Sequence, residues 1–366
     1  MSRYISFRDF DWVLLGFVLL ICGFGVAEIY SATLTTKLAS KALHVSQIYW
    51  VVGGVALMFL ASFVNYQAVL ENIHWLYLAA LGSLMAVLVF GTSYLGAKRW
   101  IRLPGGLHFQ PSEWMKLILI LAMAKYFADF RQREMSLREV VKAGLVCGVP
   151  FALVLVQPDL GTSLTYVPIA LMALFLGGMR ARHAVVVLLA VALVAPFAWK
   201  HMKPYQRQRL TSFLNPEADS QGAGYQVEQS LIAVGSGGLT GRGLGKGSQT
   251  QGSFIPEPHN DFIFAAFSEE HGFVGAILLL LLYFLVLMRL VHNAVTAPDR
   301  AGTFVVMGVV AVLAFHILIN VGMVVGFMPV TGIPLPLMSY GGSSVLFTFL
   351  ALGIVNNIRM RRFVNS

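Results

Sequence analysis

Residues 235–275 read GSGGLTGRGLGKGSQTQGSFIPEPHNDFIFAAFSEEHGFVG. The first half is loop: seven glycines fall between Gly235 and Gly247, and Pro256 and Pro258 follow. The second half turns apolar at Phe262 and, past Glu269-Glu270-His271-Gly272, stays apolar to Met288. A single span needs ~20 residues at ~1.5 Å each. The run at 262–290 is too long for one untilted span, which predicts a short entry segment at 262–268 and a span proper from about residue 272. Asp261 stands at the lip of that helix, beside the glycine loop. An acid there suits a site, and it equally suits a helix N-cap.

Outward from this stretch the apolar pattern repeats. Candidate spans lie roughly at 12–32, 46–64, 74–93, 112–130, 139–156, 162–179, 184–200, 262–290, 303–325 and 343–358. Trp12, Trp50, Trp75, Trp114 and Trp199 fall near their ends, as interfacial anchors do. Of the 366 residues 57% are hydrophobic and 12% charged, against roughly 25% charged in soluble domains. Mean hydropathy is +0.73. The expected fold class is an all-α polytopic membrane protein of about ten transmembrane helices, one membrane domain over 1–366. A barrel is excluded because the runs are continuous rather than alternating. Cys22 and Cys147 each lie in an apolar run and give neither a disulfide framework nor a metal motif. The N-terminus has no small-residue cleavage site and reads as an uncleaved first helix.

Orientation follows from basic residues. With both termini cytoplasmic, the inner segments carry Arg3 and Arg8, then Arg131, Arg133 and Arg138, Arg180 and Arg182, Arg289 and Arg300, and finally Arg359, Arg361 and Arg362. Residues 201–261 then form a large extracytoplasmic loop between helices 7 and 8. Two outer segments depart from the rule: 94–111 holds Lys98, Arg99 and Arg102, and 201–261 holds Lys203, Arg207, Arg209, Arg242 and Lys246. Long loops tolerate such charge. The sharper explanation is an anionic ligand, a phosphate or pyrophosphate, at the outer surface. The net charge of +9 has this topological origin and does not indicate nucleic acid. The uncharged segment 327–342, FMPVTGIPLPLMSYGG, should fold back into protein or line a cavity, since irregular backbone cannot face lipid.

Ionisable residues near spans are functional candidates. Glu113 and Lys116 share a helix face, as a structural ion pair or as a charge-bearing pair of a site. Asp159, in QPDLGTS, suits a cap. Glu28 faces the outer mouth or snorkels. Lys125 snorkels, and His271 suits a local hydrogen bond. The glycine loop is not a P-loop, because Gly247 follows Lys246; its glycines give mobility or close backbone approach to a ligand.

The glycine loop with FIPEPHNDFIFAAFSEEHGFVG, together with GAKRWIRL and FQPSEWMKL at 96–117, QPDLGTS at 157–163 and NVGMVVGFMPVTGIPLPLMSYGGSS at 320–344, resembles the SEDS family (shape, elongation, division and sporulation). The blocks span nearly the whole chain, and their wording is more similar to the elongation branch than to the division branch. The resemblance implies an inverting peptidoglycan glycosyltransferase that polymerises lipid II on the outer face of the bacterial inner membrane, in cell elongation and rod-shape maintenance. It implies a class B penicillin-binding protein, a transpeptidase, as partner. Asp261 matches the family's essential acid, with Glu257 and His259 in register; Asn260 replaces the usual Thr. Arg99, Glu113 and Lys116 match family positions in the first outer blocks. In this chemistry Asp261 is the candidate base, and Arg99, Lys116, Arg242 and Lys246 are candidates for binding the leaving pyrophosphate. A divalent cation (Mg2+ or Mn2+) could share that role, with Asp261 then partly a ligand. The competing functions are a lipid-linked precursor flippase, which should carry ionisable groups along a path through the bilayer, and a non-catalytic scaffold of a cell-wall complex.

Overall fold

The computed structural model describes residues 7–35, 42–94, 97–102, 108–130, 135–214 and 222–362; Arg3, Arg131 and Arg133 of the orientation argument lie outside them. The chain is mostly helix, in the order α1 (Trp12–Thr33), α2 (Leu43–Phe63), α3 (Tyr66–Glu71), α4 (Ile73–Phe90), α5 (Pro111–Ala128), α6 (Leu137–Val156), α7 (Leu160–Leu164), α8 (Tyr166–Leu176), α9 (Ala181–His201), α10 (Pro204–Leu214), α11 (Ala223–Ser236), α12 (Ser248–Gln251), α13 (Ile263–Val295), α14 (Arg300–Val324) and α15 (Gly342–Arg361). Seven of these are long and apolar enough to cross a membrane: α1, α2, α4, α6, α13, α14 and α15. α5 is of similar length but carries Glu113, Lys116 and Lys125. The stretch covering α7 and α8 and most of α9 is apolar and shorter.

α14 and α15 are the inner helices, with 67% of their apolar windows buried against 17% for α4. α15 lies against α2 at a distance only glycine permits: Gly54 sits under the Phe349 ring, and Gly353 against Met58 and Ala61. The large apolar side chains of α9, among them Leu188, Leu193 and Phe197, are exposed, as on a helix that faces lipid tails.

At one end of the bundle, buried Asp11 accepts from Arg289 Nε at 2.9 Å, Arg359 Nη1 at 2.7 Å and Asn293 Nδ2 at 3.0 Å. It joins the start of α1 to the ends of α13 and α15. Burial alone would raise this carboxyl; the bonds from Arg289 and Asn293 and the charge of Arg359 outweigh it and hold Asp11 below its ordinary 3.8.

A small antiparallel sheet, absent from the all-helical expectation, follows α4: β1 (Thr92–Tyr94), β2 (Ala97–Arg102) and β3 (His108–Phe109), in that order. Thr92 faces Trp100, and Ile101 faces Phe109. The aromatic and β-branched residues of this segment favour pairing. The pairing sets Arg99 above the start of α7.

α13 breaks where its sequence predicts. Gly272 has φ +68° and ψ −169° inside the helix, a region open essentially to glycine alone. The break would strand backbone groups on both sides, and the glycine loop supplies their partners. Arg242 N–H donates to Glu269 O at 3.0 Å and Gly243 N–H to Glu270 O at 2.9 Å; Phe273 and Val274 N–H donate to Gly238 O and Leu239 O at 2.9 and 3.1 Å. The Glu269 carboxylate accepts from the N–H groups of Gln249 and Thr250 at 2.8 and 2.9 Å, pinning α12. Gly241 and Gly272 allow this close approach of loop and helix: a Cβ on either would meet the opposing backbone. Glu28 is fully buried against this region and does not snorkel, with its Oε2 3.7 Å from His271 Nδ1. His271 Nδ1 lies 3.2 Å from Phe267 O, the local bond expected.

Candidate active site

Asp261 lies just before α13, at the end of the bundle opposite Asp11. The N-cap position of α13 is Phe262 and no side chain caps the helix, so the Asp261 carboxylate is not spent as a cap. The backbone beneath it is clamped. His259 O accepts from Tyr340 N–H at 3.0 Å, Asn260 O from Ser339 Oγ at 2.7 Å, and Asp261 O from Asn320 Nδ2 at 2.9 Å. Glu257 begins the turn with φ +47°, a left-handed conformation that costs a non-glycine residue about 1–3 kcal/mol. Irregular backbone at 327–340 thus folds back into protein, as expected, and fixes the acid. Gly332, at φ +72°, belongs to it; a Cβ there would stand 3.3 Å from Asp261 Oδ2 and 3.8 Å from Arg209 Nη1.

Asp261 is partly exposed at the surface. Burial pushes its carboxyl from 3.8 up to about 6; Arg209 and Arg99 pull it down, and Glu257 and Asp159 push it further up. Arg209, from α10, donates to Thr331 O at 2.9 Å. Arg99, from β2, donates to Pro158 O at 2.6 Å and lies 3.7 Å from Asp159 Oδ1. Asp159 caps α7 through Thr162 N–H at 3.3 Å and also takes a bond from Gln110. His259 Nε2 lies 3.5 Å from Glu257 Oε2. Burial holds His259 below its ordinary range, and the Glu257 charge only partly offsets this.

The sequence-derived candidates thus fall in three places. Asp261, Glu257, His259 and Arg99 share one electrostatic neighbourhood. Glu113 and Lys116 form a buried pair in the core: Lys116 Nζ lies 2.9 Å from both Glu113 oxygens, 3.3 Å from His316 Nε2 and 4.4 Å from the Phe347 ring centroid. Lys116 is fully buried, so here it contacts protein only. Arg242 and Lys246 are exposed on the glycine loop at the α13 break, roughly 15 Å of helix rise from Asp261. Among the described residues no group of three or more His, Cys, Asp or Glu side chains is arranged to hold a metal ion. The residues around Asp261, two of them arginines, do not form a cation cradle.

Three residues escaped the sequence reading. Arg209 was one of several cations in a long loop, with no mark to single it out. His316 and Asn320 are polar residues one turn apart in an apolar span, and that spacing was a usable signal.

The family model described as cell cycle protein, covering FTSW, RODA and SPOVE, matches residues 11–363. Peptidoglycan glycosyltransferase MrdB of Escherichia coli is 42% identical over 292 residues, 79% of this chain and 78% of that protein. A chain solved in work on the structural coordination of polymerization and crosslinking by a peptidoglycan synthase complex superposes with TM-score 0.82 at 33% identity, covering 97% of this chain and 98% of that one. The crystal structure of the rod shape determining protein RodA of Thermus thermophilus gives TM-score 0.72 at 31% identity over the same shares. With motifs, fold and clamped acid in agreement, this chain belongs to the FTSW, RODA and SPOVE family, the SEDS proteins.

Proposed function

We propose that this protein is a peptidoglycan glycosyltransferase that polymerises lipid II into β-1,4 glycan strands during cell elongation. Family membership and the activity of the E. coli relative support the reaction. The reading places a single membrane domain in the bacterial inner membrane, with residues 201–261 and Asp261 on the extracytoplasmic face. The basic residues at the Asp11 end (Arg289, Arg359, Arg361 and Arg362) support that orientation. A class B penicillin-binding protein is the proposed transpeptidase partner, in line with the similarity to a chain solved in work on a peptidoglycan synthase complex.

In the reaction the acceptor's 4-hydroxyl oxygen attacks the anomeric carbon of the donor sugar. The C–O bond to undecaprenyl pyrophosphate breaks, and the α linkage becomes β. Asp261 takes the hydroxyl proton; a carboxylate at about 6 is ionised at neutral pH and a stronger base than an ordinary Asp. Arg99 and Arg209 stabilise the charge growing on the pyrophosphate. Arg242 and Lys246 stay exposed to meet the substrate from the glycine loop. Glu113 and Lys116 support the site from beneath. A groove lined by Leu280, Ile317, Val321, Gly322, Val325 and Phe327 takes α14 residues from both before and after Asn320 and suits an apolar tail.

The observation that carries the reading is Asp261: uncapped, clamped through its backbone and raised toward neutrality beside two arginines. Glycan polymerisation from labelled lipid II, with the penicillin-binding partner present, tests it. Folded, partner-bound Asp261→Asn should lose about 10²–10⁴-fold in rate. Equal polymer from both proteins would remove Asp261 from the chemistry. Wild type that moves lipid II across vesicles without polymerising it would make the chain a flippase.

A further inference from the structure

His316 and Asn320 stand one turn apart on the same face of α14. Asn320 Nδ2 donates to two carbonyls, Asp261 O and Ile333 O, each at 2.9 Å. His316 Nδ1 lies 3.2 Å from the next carbonyl along, Pro334 O, and its Nε2 lies 3.3 Å from Lys116 Nζ. These partners settle the tautomer by chemistry. A carbonyl only accepts, so Nδ1 carries the proton. An ammonium only donates, so Nε2 is bare. A protonated imidazole would aim an N–H at the Lys116 ammonium, with both side chains buried. His316 is therefore neutral in this arrangement.

The bonds form a chain across four elements. Glu113 and Lys116 on α5 hold His316 on α14; Phe347 on α15 covers the ammonium; His316 and Asn320 grip Ile333 and Pro334. That short segment also carries Thr331 O, which takes the Arg209 bond, and Gly332, which faces the Asp261 carboxylate. Loosening Pro334 would release the surface against which Arg209 and Asp261 are set.

We propose that His316 is a positioning residue of the glycosyltransferase site: its Nδ1–H fixes the 331–334 segment and thereby the Arg209–Asp261 pair, while its Nε2 locks the Glu113–Lys116 pair beneath. The inference rests on the function proposed above. It gives the buried ion pair a task without direct contact to pyrophosphate.

The test uses the full chain with its partner and three substitutions. His316→Leu removes both bonds. His316→Asn keeps a donor near Nδ1, and His316→Gln keeps an acceptor near Nε2. The expected result for folded His316→Leu is a kcat fall on the order of 10²-fold, the scale of a 1 Å misplacement. Its KM for lipid II should change less than twofold, and the acid limb of its pH–rate profile should move. His316→Asn should recover most of kcat and His316→Gln little. Wild-type kcat and an unmoved acid limb in His316→Leu would overturn the proposal. So would equal losses in all three variants with the acid limb unmoved, the pattern of a merely structural residue. Native-state hydrogen exchange gives a readout independent of activity: amides of 257–262 and 331–333 should exchange at least tenfold faster in His316→Leu. Unchanged exchange there overturns the positioning role even if the wild type makes no polymer. Asp261→Asn in the same polymerisation assay separates the two failures, since it tests the function without involving His316.

Discussion

Asp261→Asn should make the protein more stable at neutral pH while cutting its activity about 10²–10⁴-fold. Burial raises the Asp261 carboxyl from 3.8 to about 6, against the pull of Arg209 and Arg99. Between those values the folded chain binds a proton that the unfolded chain does not. Stability is therefore fullest below 3.8 and falls as pH rises through about 6. The gap corresponds to about 3 kcal/mol; partial exposure of the carboxylate screens this to about 1–2 kcal/mol. Asn keeps the shape and removes the charge, so the variant should exceed wild type by that amount above pH 6 and by nothing near pH 4. Thermal melting of both proteins in one detergent, followed by tryptophan fluorescence at pH 7.5, 6 and 4, should show a Tm gain of a few degrees that vanishes in acid. A variant that melts at or below wild type at pH 7.5 would mean that Arg209 outweighs burial. A gain that persists at pH 4 would refute the ionisation argument. The confirmed result would be a stability–activity trade-off located on one carboxylate.

Gly272→Ala puts a Cβ against Gly241 N and 2.7 Å from Leu239 O, at φ +68°. The strain of about 1–3 kcal/mol, added to detachment of the glycine loop, should lower Tm and open residues 237–247 to limited proteolysis; an uncleaved loop at wild-type Tm would contradict the described bonding. Asp11→Asn leaves Arg289 and Arg359 without their carboxylate. A buried partner lost in this way costs about 3–5 kcal/mol, reduced here because both arginines are partly exposed. Asp11 is depressed on folding, so its contribution is present above 3.8 and lost as pH falls below that value. The Tm difference from wild type should accordingly be full at pH 7 and shrink in acid; a constant difference would refute the charge argument.

The apolar runs made the helices legible, and Glu269, Glu270 and Gly272 marked the break in α13 because charge and glycine interrupt an otherwise continuous pattern. Asp261 was legible as an acid at the lip of an apolar helix. What surrounds it was not. Arg209 reaches the site through Thr331 O, 122 residues away, and no periodicity encodes that contact. The Glu113–Lys116 spacing gave the pair but not the direction it faces, which His316 sets from 200 residues away. The sheet was missed because β1 and β3 are only three and two residues long, and the six residues of β2, AKRWIR, do not alternate. The glycine loop's partners were not legible for a related reason: they are main-chain groups on either side of the α13 break, and no side-chain pattern within the loop names them.

That loop also bears on biogenesis. Residues 238–243, which bond to both sides of the α13 break, leave the ribosome before residues 269–274 do. In the proposed orientation the loop has already crossed the membrane when the second half of α13 is inserted. The chain thus delivers the partner ahead of the fracture, so the exposed carbonyls and amides need never meet lipid. A circular permutant that placed 237–247 after α13 would reverse that order while preserving every contact of the finished fold.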